Sequence, residues 1–498
     1  MNRVHRSIGF SAIDRYGSTL LLLLATMILA RLLTPEEFGI YTAVSALMVL
    51  ATVSSREFGG ANYLIQKSSL SERDIRTAFT VNAGMSVLFA AALFGLRDAF
   101  AWFYSQPGLQ IGIGVAALSF LLVPFSGTMT ALLRREMAFD VIAACNLTAN
   151  VVNAATAVAL AALGHGFMSP LYGALAGQTV LMALLVGHRR RLRLFQPCLD
   201  GWREAVGFGA SSSAVGIINV CYQMSPQLIL GRVLDFTAVG LYGRAVNITQ
   251  IFDRLVSEVL NPIIMPAVFA QTRAGADLKG LYLRAIELVT AVQWPFLIFT
   301  ALMAAPIVSI LLGPGWGETV PLVRMLCVAS LCMFGAGLSF PVLVAAGRIH
   351  DALLASLISV PPSVLIVFAA SFFGLKAVAA AAFVTLPLQV AVVLYFITRR
   401  LDIGAADLLG AMRKSAIVAA ASALGVMAAV ALNGFDLRVS MLGFVGAAVG
   451  ALIGWWSGLV VTRHPLLFQI RKAAADLFAA MPPLRSLGST TAPSHSRD

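Results

Sequence analysis

The chain has 498 residues, of which 59% are AVILMFWYC and only 12% are charged, with a mean hydropathy of +0.86. A water-soluble domain is about 45–50% apolar and about 25% charged, so this chain lacks the polar surface that water demands, and lipid is its natural solvent. The net charge of +12 would suggest nucleic-acid binding in a soluble protein; in a membrane protein, excess Arg and Lys collects in cytoplasmic loops.

A helical crossing needs about 20 predominantly apolar residues. In chain order such segments lie near 11–33, 38–58, 77–98, 109–133, 141–163, 168–187, 205–230, 238–268, 285–312, 319–345, 350–373, 376–398, 413–432 and 439–462. Fourteen crossings put both termini on one side. With the N-terminus in the cytoplasm, the 35 Lys and Arg divide into 26 on the cytoplasmic side and five opposite. The other four (Arg15, Arg244, Arg254 and Arg324) lie inside spans. That asymmetry supports the spans and a cytoplasmic position for both termini, and it removes nucleic acid as a partner. The longest internal connector is the basic stretch HRRRLRLFQPCLDGWRE at 188–204, and the tail after 463 opens as a basic amphipathic segment. The five cysteines form no CxxC, the six histidines form no HExxH, and no GxxxxGK[ST] occurs. No metal site, cofactor or phosphate loop is therefore expected.

An internal repeat follows from the exits of spans one and seven. ILARLLTPEEFGIY (28–41) aligns without a gap on ILGRVLDFTAVGLY (229–242), offset by 201, with Arg31/Arg232, Gly39/Gly240 and Tyr41/Tyr242 matched. The offset spans an even number of helices, so the copies run in parallel, related by an axis along the membrane normal. The expected fold is an all-α polytopic membrane protein with about 14 transmembrane helices. Two six-helix lobes (1–187 and 205–400) are joined by the 188–204 linker, followed by two appended helices (401–462) and a partly disordered cytoplasmic tail (463–498).

ARLLTPEEFGIYTAVSALMVL followed by REFGGANYLIQ, then ALLRREMAF, LILGRVLDFTAVGLYGRA, PIIMPAVFAQ, LLGPGWGETVPLVRML and LVAAGRI resembles the polysaccharide transporter (Wzx-type) oligosaccharide and lipopolysaccharide flippases. These belong to the multidrug/oligosaccharidyl-lipid/polysaccharide superfamily. The resemblance implies movement of an undecaprenyl-pyrophosphate-linked sugar repeat from the inner to the outer leaflet of the bacterial cytoplasmic membrane. It also implies membrane lipids, a polysaccharide polymerase and export machinery as partners. Where many relatives carry an acid before LILGR, this chain has Ser225 and Pro226, so no role of that acid transfers.

Span eight carries Arg244, Asn247, Gln250, Arg254 and Glu258 on one helical face. Arg254 would lie ~24 Å from the outward end, near the middle of the hydrocarbon layer. An Arg there costs ~2.5–3.5 kcal/mol on insertion scales unless it meets water or an acid. One reading is a cationic wall that replaces lost water around a pyrophosphate, for which a guanidinium supplies paired donors; the other is a structural Arg254–Glu258 pair. Arg324 near the outward end of span ten, Arg15 near the inner end of span one, and Asn219, Gln223 and Gln227 on one face of span seven complete the candidate substrate-binding set. Asn146, Asn150 and Asn153 on span five suit sugar hydroxyls or helix packing equally, and Gly446, Gly450, Gly454 and Gly458 predict close packing of span fourteen on span thirteen. The function expected is non-catalytic export by alternating access. A drug or cation antiporter is the alternative, disfavoured by an interior richer in Arg than in acids. A polymerase or ligase is disfavoured by outward loops too short to carry catalytic groups.

Overall fold

The computed structural model describes residues 2–58, 64, 67, 70–188, 192–252, 278–335, 342–343, 349–432, 434 and 441–471. Arg254 and Glu258 lie outside the described residues, as do Asp253, Asn261, Pro262, Pro266, Arg348 and the tail beyond 471. Among the described residues the fold is helical, without strands. The first half contains α1 (Asn2–Leu32), α2 (Pro35–Phe58), α3 (Glu72–Phe103), α4 (Gly108–Phe120), α5 (Val123–Arg135), α6 (Phe139–Ala162) and α7 (Met168–His188). The second contains α8 (Trp202–Val233), α9 (Phe236–Thr249), α10 (Leu278–Leu302), α11 (Ala304–Leu311), α12 (Thr319–Ser330), α13 (Ile349–Ser371) and α14 (Leu375–Leu401), followed by α15 (Ala405–Leu432) and α16 (Met441–Val461). Each of the fourteen expected spans contains helix. Among the described residues, nine helices are long and apolar enough to cross a membrane singly, and the pair α4 and α5, bent by 40°, is either a broken tenth span or a re-entrant loop. The chain is a multi-pass membrane protein.

Local chemistry fixes where the repeated helices begin. Thr34 Oγ1 accepts the Glu37 N–H (3.3 Å) while the Glu37 carboxylate accepts the Thr34 N–H (2.8 Å), a reciprocal cap with Pro35 at the first helical position. In the second copy Asp235 caps α9 by accepting the Ala238 N–H at 2.6 Å. Different residues thus start two equivalent helices after equivalent turns.

α1 packs on α6, and α7 on α4, α5 and α6; in the second half, α12 packs on α9, α10 and α14, and α13 on α8 and α14. The two halves meet chiefly where α2 lies against α8 and α9. At that crossing a methyl on Gly39 would overlap the Phe236 carbonyl, and one on Gly240 would overlap the Pro35 carbonyl. Since 39 + 201 = 240 and 35 + 201 = 236, the two contacts are copies of each other under the sequence repeat. Only residues without a side chain let the backbones come so close. The pseudo-twofold axis inferred from the alignment therefore passes between the aligned glycines.

The 192–200 connector is held by the first half. Arg76 donates to the carbonyls of Gln196 and Pro197 (both 3.3 Å), Thr77 to that of Asp200 (2.8 Å), and the Phe195 ring lies within 5.2 Å of Phe79 and Phe125. On α16, methyls at Gly450, Gly454 and Gly458 would strike α15, as the glycine spacing predicts, whereas Gly446 has nothing within 4 Å. The ridge is three glycines long, not four.

Candidate functional site

Beside the α2–α9 crossing, a narrow cleft of about 50 Å³ runs between α1, α9 and the end of α11, lined by Leu22, Leu23, Thr26, Met27, Arg244, Asn247, Ile248, Ile251, Leu311 and Leu312. Among the described residues, Arg244 is the one charged residue in its wall. Its residue exposure is 7%, and its guanidinium stands 4.5 Å over the Phe38 ring of the opposite half. The aromatic face offers a cation an attractive, partly desolvated resting place. At 1.5 Å per residue Arg244 is ~12 Å along α9 from its first residue.

Of the residues proposed from sequence, Arg244 and Asn247 are brought together in this cleft. Gln250 is half-buried a turn further on, but as the C-cap of α9: the helix ends at Thr249, and the Gln250 N–H reaches the Val246 carbonyl at 2.9 Å. Arg254 and Glu258, the rest of the expected stripe, lie outside the described residues. Arg324 is half-buried on α12, whose Cys327 approaches Thr249 of α9 at 3.7 Å. Asn219 and Gln223 stand on an exposed face of α8 and Gln227 is half-buried on it. Arg15 is half-buried toward the other end of α1.

Next to Arg15 is a polar network tying two helices of the first half. Asp14 accepts from Asn146 Nδ2 at 3.0 Å and from Ser18 at 3.3 Å, and Asn150 donates to Ser18 Oγ at 2.8 Å. A shallow Asp on α1 reads from sequence as a snorkelling side chain; here it is instead hydrogen-bonded to α6. Asn146 and Asn150 serve helix packing in this state. Asn153 does so too, lying under Gly173 of α7.

Sequence reasoning missed two aromatic residues that close the space above the cleft. Trp316, 1% exposed, donates from Nε1 to the Ala30 carbonyl at 2.9 Å and meets Phe38 edge-on at 5.5 Å. Arg31 alongside donates to the Ile310 carbonyl at 2.8 Å. The flanking glycines of LLGPGWGET were a local signal for a tight turn presenting an aromatic ring, but nothing in the string names a partner 286 residues away.

This arrangement, two repeated helix pairs closed over a buried cation, can be set beside known proteins. Residues 28–321 match the family described as polysaccharide biosynthesis protein. The chain belongs to that family. Family relatives include the lipopolysaccharide biosynthesis protein WzxC of Escherichia coli, 26% identical over 309 residues (61% of this chain, 62% of WzxC). The succinoglycan biosynthesis transport protein ExoT of Rhizobium meliloti is 23% identical over 328 residues (66% of each chain). The chain thus spans somewhat less than two thirds of each relative's length. Among solved structures, the lipid II flippase MurJ in an inward closed conformation superposes with a TM-score of 0.73 over 92% of this chain and 100% of that one, at 11% identity. The family member described here therefore shares the fold of that protein.

Proposed function

We propose that the chain is a flippase that carries an undecaprenyl-pyrophosphate-linked oligosaccharide repeat from the cytoplasmic to the periplasmic leaflet of the bacterial inner membrane. It does so without covalent chemistry, by alternating access between lobes 1–187 and 205–400. The termini, the 188–204 linker and the tail lie in the cytoplasm, and the α2–α9 crossing is at the periplasmic end. The names of the family relatives and of the fold neighbour support the substrate class. The observation that carries the mechanism is Arg244: a buried guanidinium at the interface of two repeated halves, in a cleft open to a neutral amide.

A pyrophosphate leaving the inner leaflet loses its hydration, and a positive, planar donor group inside the path replaces part of it. Arg244 supplies that group near the outward end, with Arg324, Asn247 and Gln250 around it and Arg254 and Glu258 further down. The exposed amides Asn219, Gln223 and Gln227 on α8 suit the sugar hydroxyls, and Arg15 meets the head group near the cytoplasmic entrance. The polyprenyl tail remains in lipid. Outward movement of the anion is favoured by ~2.3 kcal/mol per charge per 100 mV of membrane potential. A drug or cation antiporter would place acids, not Arg244, at this position.

The test is accumulation of lipid-linked repeats in a deletion strain. Wild-type protein clears them, whereas Arg244→Ala and Arg254→Ala clear them at least about tenfold more slowly, the loss expected for one charge-assisted hydrogen bond. The Lys variants recover part of the rate. Full rescue by both Ala variants would remove these positions from the substrate path.

A further inference from the structure

The repeated turns are filled differently in the two halves. In the first copy the Trp316 indole occupies the space over Ala30, as described above. Its counterpart over Gly231, at the repeat offset, faces the α3–α4 turn, Tyr104-Ser105-Gln106-Pro107, which carries no Trp. There the Tyr104 ring packs over Gly231, and beside it a half-open cavity of about 470 Å³ is lined among others by Glu36, Tyr104, Gln106, Arg232, Asp235 and Phe236. That volume is in the range of small-molecule sites.

The wall chemistry selects the ligand. Two carboxylates, Glu36 and Asp235, face one guanidinium, Arg232, so the local charge is negative and an isolated phosphate is repelled. Gln106 donates to Glu36 at 3.4 Å, a long bond that a competing hydroxyl can replace. The Tyr104 and Phe236 rings, 6.1 Å apart, give flat apolar faces beside these polar groups. Paired acceptors, an amide, a guanidinium and a ring face together suit an uncharged, hydroxyl-rich pyranose.

We propose that this cavity is a binding site for a neutral saccharide, formed only while the two halves are joined at this end. Glu36 and the Tyr104–Gln106 turn belong to one half and Arg232, Asp235 and Phe236 to the other, so separation of the halves dismantles the site. A ligand that binds one state alone shifts the equilibrium toward it. On the flippase reading, which this inference extends, sugar released outside would hold the periplasmic end shut and slow the next delivery.

The experiment is titration of the full-length protein in lipid nanodiscs with neutral tetrasaccharides of gluco, galacto and manno configuration, and with inorganic pyrophosphate. Saturable binding of a neutral sugar is expected. Binding should be at least about tenfold weaker in Glu36→Gln and abolished in Thr237→Trp, which places an indole in the cavity from its own wall. The proposal is overturned if no neutral sugar binds, if Glu36→Gln binds as the wild type does, or if pyrophosphate displaces the sugar from this site. Clearance of lipid-linked repeats is scored separately. Clearance without sugar binding removes the cavity site alone, and sugar binding without clearance upholds the site while removing the flippase reading.

Discussion

At the α2–α9 crossing Gly39 lies against the Phe236 carbonyl and Gly240 against that of Pro35; at the α15–α16 crossing Gly425 and Gly450 lie against each other's carbonyls, and Gly454 against that of Ala421. The device is the same, yet the surroundings differ. The first contact joins separate halves, involves one glycine from each, and has Arg31, Glu36, Arg244 and Trp316 close by. The second joins consecutive helices along a ridge and is enclosed by Met303, Val426, Val430, Ala447 and Ala451. A contact between separate halves with charged groups at its edge can part and re-form as water enters. One between consecutive helices ties a single hairpin, so the first is suited to a moving gate and the second to a fixed joint.

The largest expected effect follows from that difference. Gly240→Leu must displace a backbone carbonyl, which costs about 2 kcal/mol or more and lowers the ratio of joined to parted halves roughly thirtyfold. Spin labels at the α6–α7 and α13–α14 turns should then move apart while circular dichroism stays helical, and clearance of lipid-linked repeats should stop. An unchanged label distance would refute the gate. Trp316→Phe comes next. It keeps the ring against Phe38 but loses the indole hydrogen bond to Ala30, about 1 kcal/mol, so the same labels should show a smaller opening, about fivefold in that ratio.

The repeat was legible in the sequence because the close approach requires glycine and therefore leaves a matched Gly39/Gly240 at a fixed offset. The helical membrane fold was legible because lipid imposes apolar length on each crossing. What the crossing closes over was not. Phe38 and Trp316 are aromatic residues in a chain rich in apolar ones, and their partners are distant in sequence. The end of α9 at Thr249 was hidden too, since the string NITQIF contains no Gly or Pro to mark it. The Asp14–Asn146 bond was equally invisible: each residue alone has a bland explanation, and only the packing of α1 on α6 joins them.

A smaller effect tests how firmly the appended pair is fixed to the second half. Trp455 of α16 donates to the Ala291 carbonyl of α10 at 2.8 Å, and Ser415 of α15 donates to that of Glu287 at 2.9 Å. Just beyond α16, buried His464 sits against Ser415 Oγ at 3.3 Å, and its Nδ1 accepts the Leu466 N–H at 3.2 Å. Burial, helped by the nearby Lys414 charge, pushes its imidazole from 6.5 down to about 4. The ring is thus neutral near pH 7, and its 4.0 Å approach to Glu287 is not an ion pair there. Between pH 6.5 and about 4 the unfolded chain holds a proton on this ring that the folded chain does not. Stability therefore falls as pH drops through that window, and the ring contributes no slope above it. Thermal unfolding at pH 7.5 and 5 should show a pH-dependent loss in the wild type that His464→Gln reduces. An equal loss in both would free the joint from this residue.

The effect with least bearing on transport separates the two ends of the fixed joint. Gly454→Leu pushes a side chain into the Ala421 carbonyl and should lower stability by about 2–3 kcal/mol, read as a fall in melting temperature with clearance retained at permissive temperature. Gly446→Leu, eight residues earlier on the same ridge, meets nothing within 4 Å. It replaces the residue most costly to order in a helix, so it should be neutral or stabilising by up to about 1 kcal/mol. If the two variants destabilise equally, α16 lies on α15 along its whole length and the ridge is four glycines long after all. If only Gly454→Leu does, the helices diverge before Gly446, and the joint is fixed at the end that also carries Trp455 and His464.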